Sequence, residues 1–151
     1  MIVLDTSVLY ALLDAADGRH HEAVRWYEAL SEELVTTPMV LAETDHLAAT
    51  QGGPQAVRAL RQDVRAGAYI VDWWSTAARE AADLADRYEE IGLGLTDASL
   101  VALAARVGTS AIATFDERHF RVVLPLRGAE AFHLIPIDLA TRGDSTSHRR
   151  R

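Results

Sequence analysis

Five short runs of apolar, largely β-branched residues interrupt this chain without polar alternation: Ile2-Val3-Leu4, Leu34-Val35-Thr36, Tyr69-Ile70-Val71, Ala111-Ile112-Ala113 and Phe132-His133-Leu134-Ile135. A strand with one wet face alternates apolar and polar residues, so unbroken runs read as strands covered on both faces. That pattern belongs to a mostly parallel sheet. Helical patterning fills the gaps, over Thr6 to Ala15, Arg19 to Glu33, Pro38 to Thr50, Pro54 to Ala66, Ser75 to Ile91 and Asp97 to Val107. Thr37-Pro38 supplies an N-cap followed by proline at the first helical position, Ser75 can cap the next long helix, and Gly67 and Gly108 stand just past helix ends. The order β-αα-β-αα-β-αα-β-β predicts an α/β fold of three layers, with a mostly parallel central sheet of about five strands flanked by helices. At 151 residues this is one domain, expected over residues 1–140, with residues 141–151 as a flexible basic tail.

Composition narrows the chemistry such a sheet can carry. The chain has no cysteine, which removes disulfides, thiolate metal sites and cysteine nucleophiles. Its fifteen Lys-or-Arg cations are all arginine. Without lysine, a P-loop, a pyridoxal Schiff base, a protein-kinase site and a lysine-dependent phosphatase site are excluded. No apolar run approaches the roughly 20 residues of a membrane span, and Met1 to Asp5 carries no secretory-signal pattern. A cytoplasmic protein without membrane association is expected. The net charge of −7 is uneven, because residues 142–151 hold four arginines and one aspartate and leave −10 on the rest. An acidic body with a basic tail is not a nonspecific nucleic-acid binder.

Ligands of open parallel sheets bind outside the carboxyl ends of the strands. Asp5 directly follows the first run, and Asp116 opens the turn Asp116-Glu117-Arg118 two residues after Thr114. Taken singly, each has an ordinary explanation as a cap or turn residue. Glu43 lies three residues after Val40 and four before Leu47, which places it on the buried stripe of its helix, where a carboxylate needs a partner or a metal. Asp97 stands in the first turn of a helix, where it also complements the dipole. The topology brings all four to one sheet edge, with no lysine to neutralise them. Crowded carboxylates call for a divalent cation. An all-oxygen set favours Mg²⁺ or Mn²⁺ over zinc or copper.

The motifs I-V-L-D-T-S at residues 2–7, P-x-V-x-A-E ending at Glu43, L-T-D-A around Asp97 and A-T-F-D-E-R-H-F at residues 113–120 resemble, in order and spacing over about residues 1–137, the four motifs of PIN-domain ribonucleases. The likeness is to the VapC-type toxins of bacterial toxin–antitoxin pairs. It implies a PIN-like fold and a Mg²⁺-dependent endoribonuclease acting on structured RNA, either tRNA or rRNA. It further implies homodimerisation and inhibition by a cognate antitoxin protein. By resemblance, Asp5, Glu43, Asp97 and Asp116 take the four acidic metal-site positions, with Thr6, Ser7 and Thr114 as supporting hydroxyls. Hydrolysis by an activated water would leave a 5′-phosphate and a 3′-hydroxyl. Asp5, Asp97 and Asp116 would hold the principal ion, and Glu43 a second ion or the attacking water.

Other residues have plainer readings. Glu43 and His46 reproduce a Glu-x-x-His spacing found in di-iron bundles, but those need a second copy and an all-helical frame. His20, His21 and His119 show no metal spacing and read as solvent-facing or turn residues. In the helix from Arg19, the residues Ala23, Val24, Tyr27, Leu30 and Leu34 form the core stripe, with Trp26 at its margin. Trp73 and Trp74 cannot both face inward by strand alternation, so one can cover a dimer or antitoxin surface. Arg149-Arg150-Arg151 reads as a solvated end within reach of RNA phosphates. Two alternatives compete: a non-cleaving PIN-like scaffold binding RNA or protein, and a haloacid-dehalogenase-type phosphatase. The phosphatase needs a second aspartate where Ser7 stands.

Overall fold

The computed structural model describes residues 1–140 and contains five strands: β1 (Ile2–Leu4), β2 (Leu34–Thr36), β3 (Ile70–Val71), β4 (Ala111–Thr114) and β5 (His133–Pro136). They form one sheet in the order β3-β2-β1-β4-β5, and every pairing is parallel. Val3 sits in register with Val35 on one side and Ile112 on the other, so β1 is the centre of the molecule. All residues of β1 and β2 are buried, which explains their unbroken apolar runs. The third run departs from expectation. Ile70 and Val71 are 43% and 41% exposed, because β3 is an edge strand and only Tyr69 before it is buried.

Between the first and last strands of the described residues lie seven α-helices: α1 (Thr6–Leu13), α2 (His20–Glu28), α3 (Pro38–Leu47), α4 (Gly53–Ala66), α5 (Ala77–Arg87), α6 (Leu95–Val107) and α7 (Glu117–Phe120). Helix α2 stops well before Glu33, because that residue already belongs to the sheet: its carbonyl accepts from the Ile2 amide at 2.9 Å. The core face of α2 is Ala23 and Trp26, not the stripe through Tyr27. Trp26 is 9% exposed, whereas Tyr27 is 41% exposed. A tryptophan so covered is a packing residue rather than a partner anchor.

The helix expected to run to Thr50 instead widens into a π-helical turn over Ala48–Gly52 before α4 begins. The turn is tight on one side, since a Cβ at Gly52 would meet the Ala56 Cβ at 2.9 Å. Helix α5 starts after Thr76 rather than Ser75, and Thr76 Oγ1 and Trp74 Nε1 both donate to Glu80 Oε1. Trp74 is thus half-buried and fixed, and Trp73 is the more exposed of the pair. In α6 every residue from Ala98 to Ala104 is buried, because the helix packs against both α5 and β1. Helix α7 was not anticipated. Four residues are too few to show an apolar period.

Strand order advances from β1 through β2 to β3, then reverses to β4 on the other side of β1. For right-handed crossovers this reversal puts the connections on opposite faces and opens a crevice beyond the carboxyl ends of β1 and β4. Among the described residues no helix is long and apolar enough to cross a membrane. The predicted tail, with Arg149 to Arg151, lies outside the described residues.

Candidate active site

Asp5 and Asp116 stand where β1 and β4 end at that crevice. Asp5 has the extended backbone of an N-cap, yet its side chain makes no capping hydrogen bond. Its Oδ2 accepts instead from Ser7 Oγ and Thr114 Oγ1, each at 2.7 Å. Each hydroxyl has one proton and gives it to Asp5, so the oxygens are left as acceptors: Ser7 Oγ takes the Phe115 amide and Thr114 Oγ1 takes the Asp116 amide, both at 2.9 Å. Two hydroxyls therefore tie the start of α1 to the turn after β4. Asp5 is 4% exposed. Burial pushes its carboxyl up to about 6, against the lowering effect of the two hydroxyl donors and with help from the nearby Asp97 charge.

Glu43 is not buried as its spacing suggested. The inward face of α3 is Val40 and Thr44, and Glu43 lies one position round, exposed to the crevice. The stripe assignment followed Leu47, which is only half-buried at the crevice wall. Thr6 Oγ1 nevertheless donates to Glu43 Oε2 at 2.7 Å and aims the carboxylate across the start of α1. His46 is exposed and takes no part in the crevice.

Asp97 is the third residue of α6, which starts two residues earlier than the sequence suggested. Thr37 and Ser99 fix the relation between α3 and α6 through a buried 2.9 Å hydroxyl contact. Ser99 donates to the Thr96 carbonyl, so Thr37 is the donor to Ser99. Thr37 therefore occupies the expected N-cap position but spends its hydroxyl on the neighbouring helix. Asp97 Oδ2 lies 2.5 Å from His119 Nδ1. A carboxylate only accepts, so Nδ1 carries the proton. His119 is thus neither solvent-facing nor a mere turn residue, and it is the functional candidate that the sequence reading missed. Its signal was its place three residues beyond Asp116 in A-T-F-D-E-R-H-F, visible only once a helix is assigned there.

Asp116 caps α7 by accepting from the Arg118 amide at 3.1 Å, and it is also gripped by the Arg118 guanidinium. That side-chain hydrogen bond holds its carboxyl below the usual range. All four predicted acids, with Thr6, Ser7, Arg118 and His119, line one cavity of about 440 Å³, and Thr114 lies fully buried beside Asp5. Among the described residues no three acidic or imidazole groups already form a closed metal cage. Mg²⁺ does not demand one, because it keeps several waters and uses one or two carboxylates. An all-oxygen donor set without lysine fits such an ion.

Fold and cavity together define a nuclease-like α/β domain with an acidic centre at the switch between β1 and β4. The PIN domain family profile matches residues 2–123, and the chain belongs to that family. Over 136 residues it is 34% identical to Ribonuclease VapC26 of Mycobacterium tuberculosis (strain ATCC 25618 / H37Rv), covering 89% of this chain and all of that one. It is therefore an RNA-cleaving enzyme of the VapC type. Among solved structures it is similar to Mycobacterium tuberculosis VapC20, described as a sarcin–ricin loop cleaving toxin, with a TM-score of 0.73 and 25% identity over 85% of this chain and 100% of that one. FitAcB of Neisseria gonorrhoeae shares the fold, at a TM-score of 0.55 and 21% identity over 77% of this chain and 88% of that one. Family membership sets aside the phosphatase alternative.

Proposed function

We propose that the chain is a toxin that cleaves structured RNA with Mg²⁺ or Mn²⁺, and that a cognate antitoxin restrains it. The observation that carries this reading is the convergence of Asp5, Glu43, Asp97 and Asp116 on one cavity from four separate elements. Asp5, Asp97 and Asp116 would hold the ion. When bound, it polarises a phosphate oxygen and lowers the pKa of water. Glu43 Oε2 is occupied by Thr6, which leaves Oε1 to accept a proton from the attacking water. His119 orients Asp97, and Ser7 and Thr114 orient Asp5. The VapC20 description supports ribosomal RNA as one substrate to test, with tRNA as the other. The crowded carboxylates also favour an antitoxin that seats a basic side chain among them, and the toxin is taken to be a homodimer.

Incubation with a sarcin–ricin loop RNA and with a tRNA pool, in Mn²⁺, Mg²⁺ or excess EDTA, tests the enzymatic reading. Products with 5′-phosphates are expected with metal only. Full cleavage in EDTA, or full activity in an Asp5→Asn, Asp97→Asn double variant, would overturn it. Inhibition by the antitoxin should weaken as Mg²⁺ saturates, and an affinity blind to Mg²⁺ would place the inhibitory contact elsewhere.

A further inference from the structure

We infer that Arg118 serves the site in two alternating positions, neutralising Asp116 when no metal is bound and gripping an RNA phosphate once a metal displaces it. The inference rests on the nuclease reading of the cavity. Arg118 gives Asp116 three hydrogen bonds: its amide and Nε to Oδ1 at 3.1 and 2.9 Å, and Nη2 to Oδ2 at 2.6 Å. Among the described residues lining the cavity it is the one arginine. A metal and Arg118 therefore compete for the same two oxygens.

Exposure decides that the contest is winnable. The Arg118 side chain is 81% exposed, and ion pairs held that openly contribute little to stability. A divalent ion bound by Asp5, Asp97 and Asp116 together outcompetes one exposed guanidinium. The released fork then stands at the cavity mouth, where its planar N–H groups match a phosphate in bidentate fashion. The acidic body, with −10 on residues 1–141, makes such a cation necessary there. Metal binding thereby converts an internal counter-charge into a substrate contact, so the site gains affinity for RNA when it becomes able to cut.

The test uses the full chain with Arg118→Ala and Arg118→Lys, and Arg118→Gln should the alanine variant fail to fold. Mn²⁺ affinity of RNA-free protein is measured by calorimetry, and KM and kcat by steady-state cleavage of sarcin–ricin loop RNA and of bulk tRNA at saturating Mn²⁺. For Arg118→Ala, Mn²⁺ should bind about 2- to 5-fold more tightly. KM should rise by about 5- to 10-fold with a smaller change in kcat, and the salt dependence of RNA binding should drop by roughly one phosphate contact. Arg118→Lys should restore part of the RNA affinity. Opposite shifts for metal and RNA are not produced by a general loss of structure. Unchanged Mn²⁺ affinity, or unchanged KM, in a wild type that binds metal and cleaves RNA overturns the role of Arg118 alone. A wild type that neither binds Mn²⁺ nor cleaves overturns the nuclease reading as well.

Discussion

Asp5 shows how one residue couples stability to readiness for a cation. Its carboxyl ordinarily titrates at 3.8 and is raised to about 6 in the fold, chiefly by burial. The folded protein thus holds a proton that the unfolded chain releases earlier. Stability from this group is fully present below pH 3.8 and is lost as pH rises through about 6. The loss amounts to about 3 kcal/mol by the linkage relation. Asp5→Asn keeps an acceptor for Ser7 and Thr114 and removes the charge. In EDTA it should match wild type near pH 4, exceed it by up to about 3 kcal/mol at pH 7, and lose cleavage. Urea melts across that range check this, and a gap that stays constant with pH would show that Asp5 is not the strained group. His119 carries a second expectation at this scale. His119→Ala removes the donor to Asp97 and should cut activity by about 10- to 100-fold, while His119→Asn, whose amide nitrogen overlays Nδ1, should recover part of it in kcat measurements.

At the scale of elements, the site depends on where helices begin. Asp97 reaches the cavity because α6 starts at Leu95 and is pinned to Thr37 through Ser99. Gly67 ends α4 at φ 68° with open space around its Cβ direction, so Gly67→Ala is a conformational penalty and nothing else. Thr37→Val and Gly67→Ala should each cost about 1 kcal/mol in denaturant melts. Only Thr37→Val should also lower kcat, because only that change loosens the helix that presents Asp97. Equal activity in the two variants would show that the Thr37–Ser99 contact does not position Asp97 for the reaction. The short helix α7 has a similar place in the design, since one turn sets Asp116, Arg118 and His119 at the same cavity.

For the whole molecule, net charge and sheet order act together. A body carrying −10 over residues 1–141 repels RNA at long range, and the reversal of strand order concentrates part of that charge in one cavity. A bound divalent ion relieves both. Mn²⁺ or Mg²⁺ at ten times its dissociation constant should stabilise the fold by about 1.4 kcal/mol, raising Tm by about 3 to 5 °C. Zinc should substitute poorly, because among the described residues the cavity offers carboxylates with only one imidazole, His119, which is already engaged. Differential scanning fluorimetry in each metal measures this, and Asp5→Asn should blunt the Mg²⁺ shift. An undiminished shift in that variant would put the ion elsewhere.

What the sequence alone determined was whatever is written in local order. Runs such as Ile2 to Leu4 and Leu34 to Thr36 declare buried parallel strands because neither face needs a polar residue. Thr37-Pro38, Gly67 and Gly108 declare helix ends because backbone geometry admits few residues there. Asp5, Asp97 and Asp116 were legible for the same reason, as each follows a strand or opens a helix within a motif, whereas Glu43, in mid-helix, was singled out by a buried stripe it does not occupy. Tertiary structure decided the rest, because it depends on groups far apart in the chain. Burial of Trp26 rather than Tyr27, and exposure of Glu43 beside buried Val40 and Thr44, turn on which helix face meets a neighbour, which one stripe does not specify. The grip of Thr114 on Asp5 joins residues 109 positions apart. His119 became a partner of Asp97 only because a single helical turn, too short to leave a periodic trace, swings it 22 residues back across the crevice.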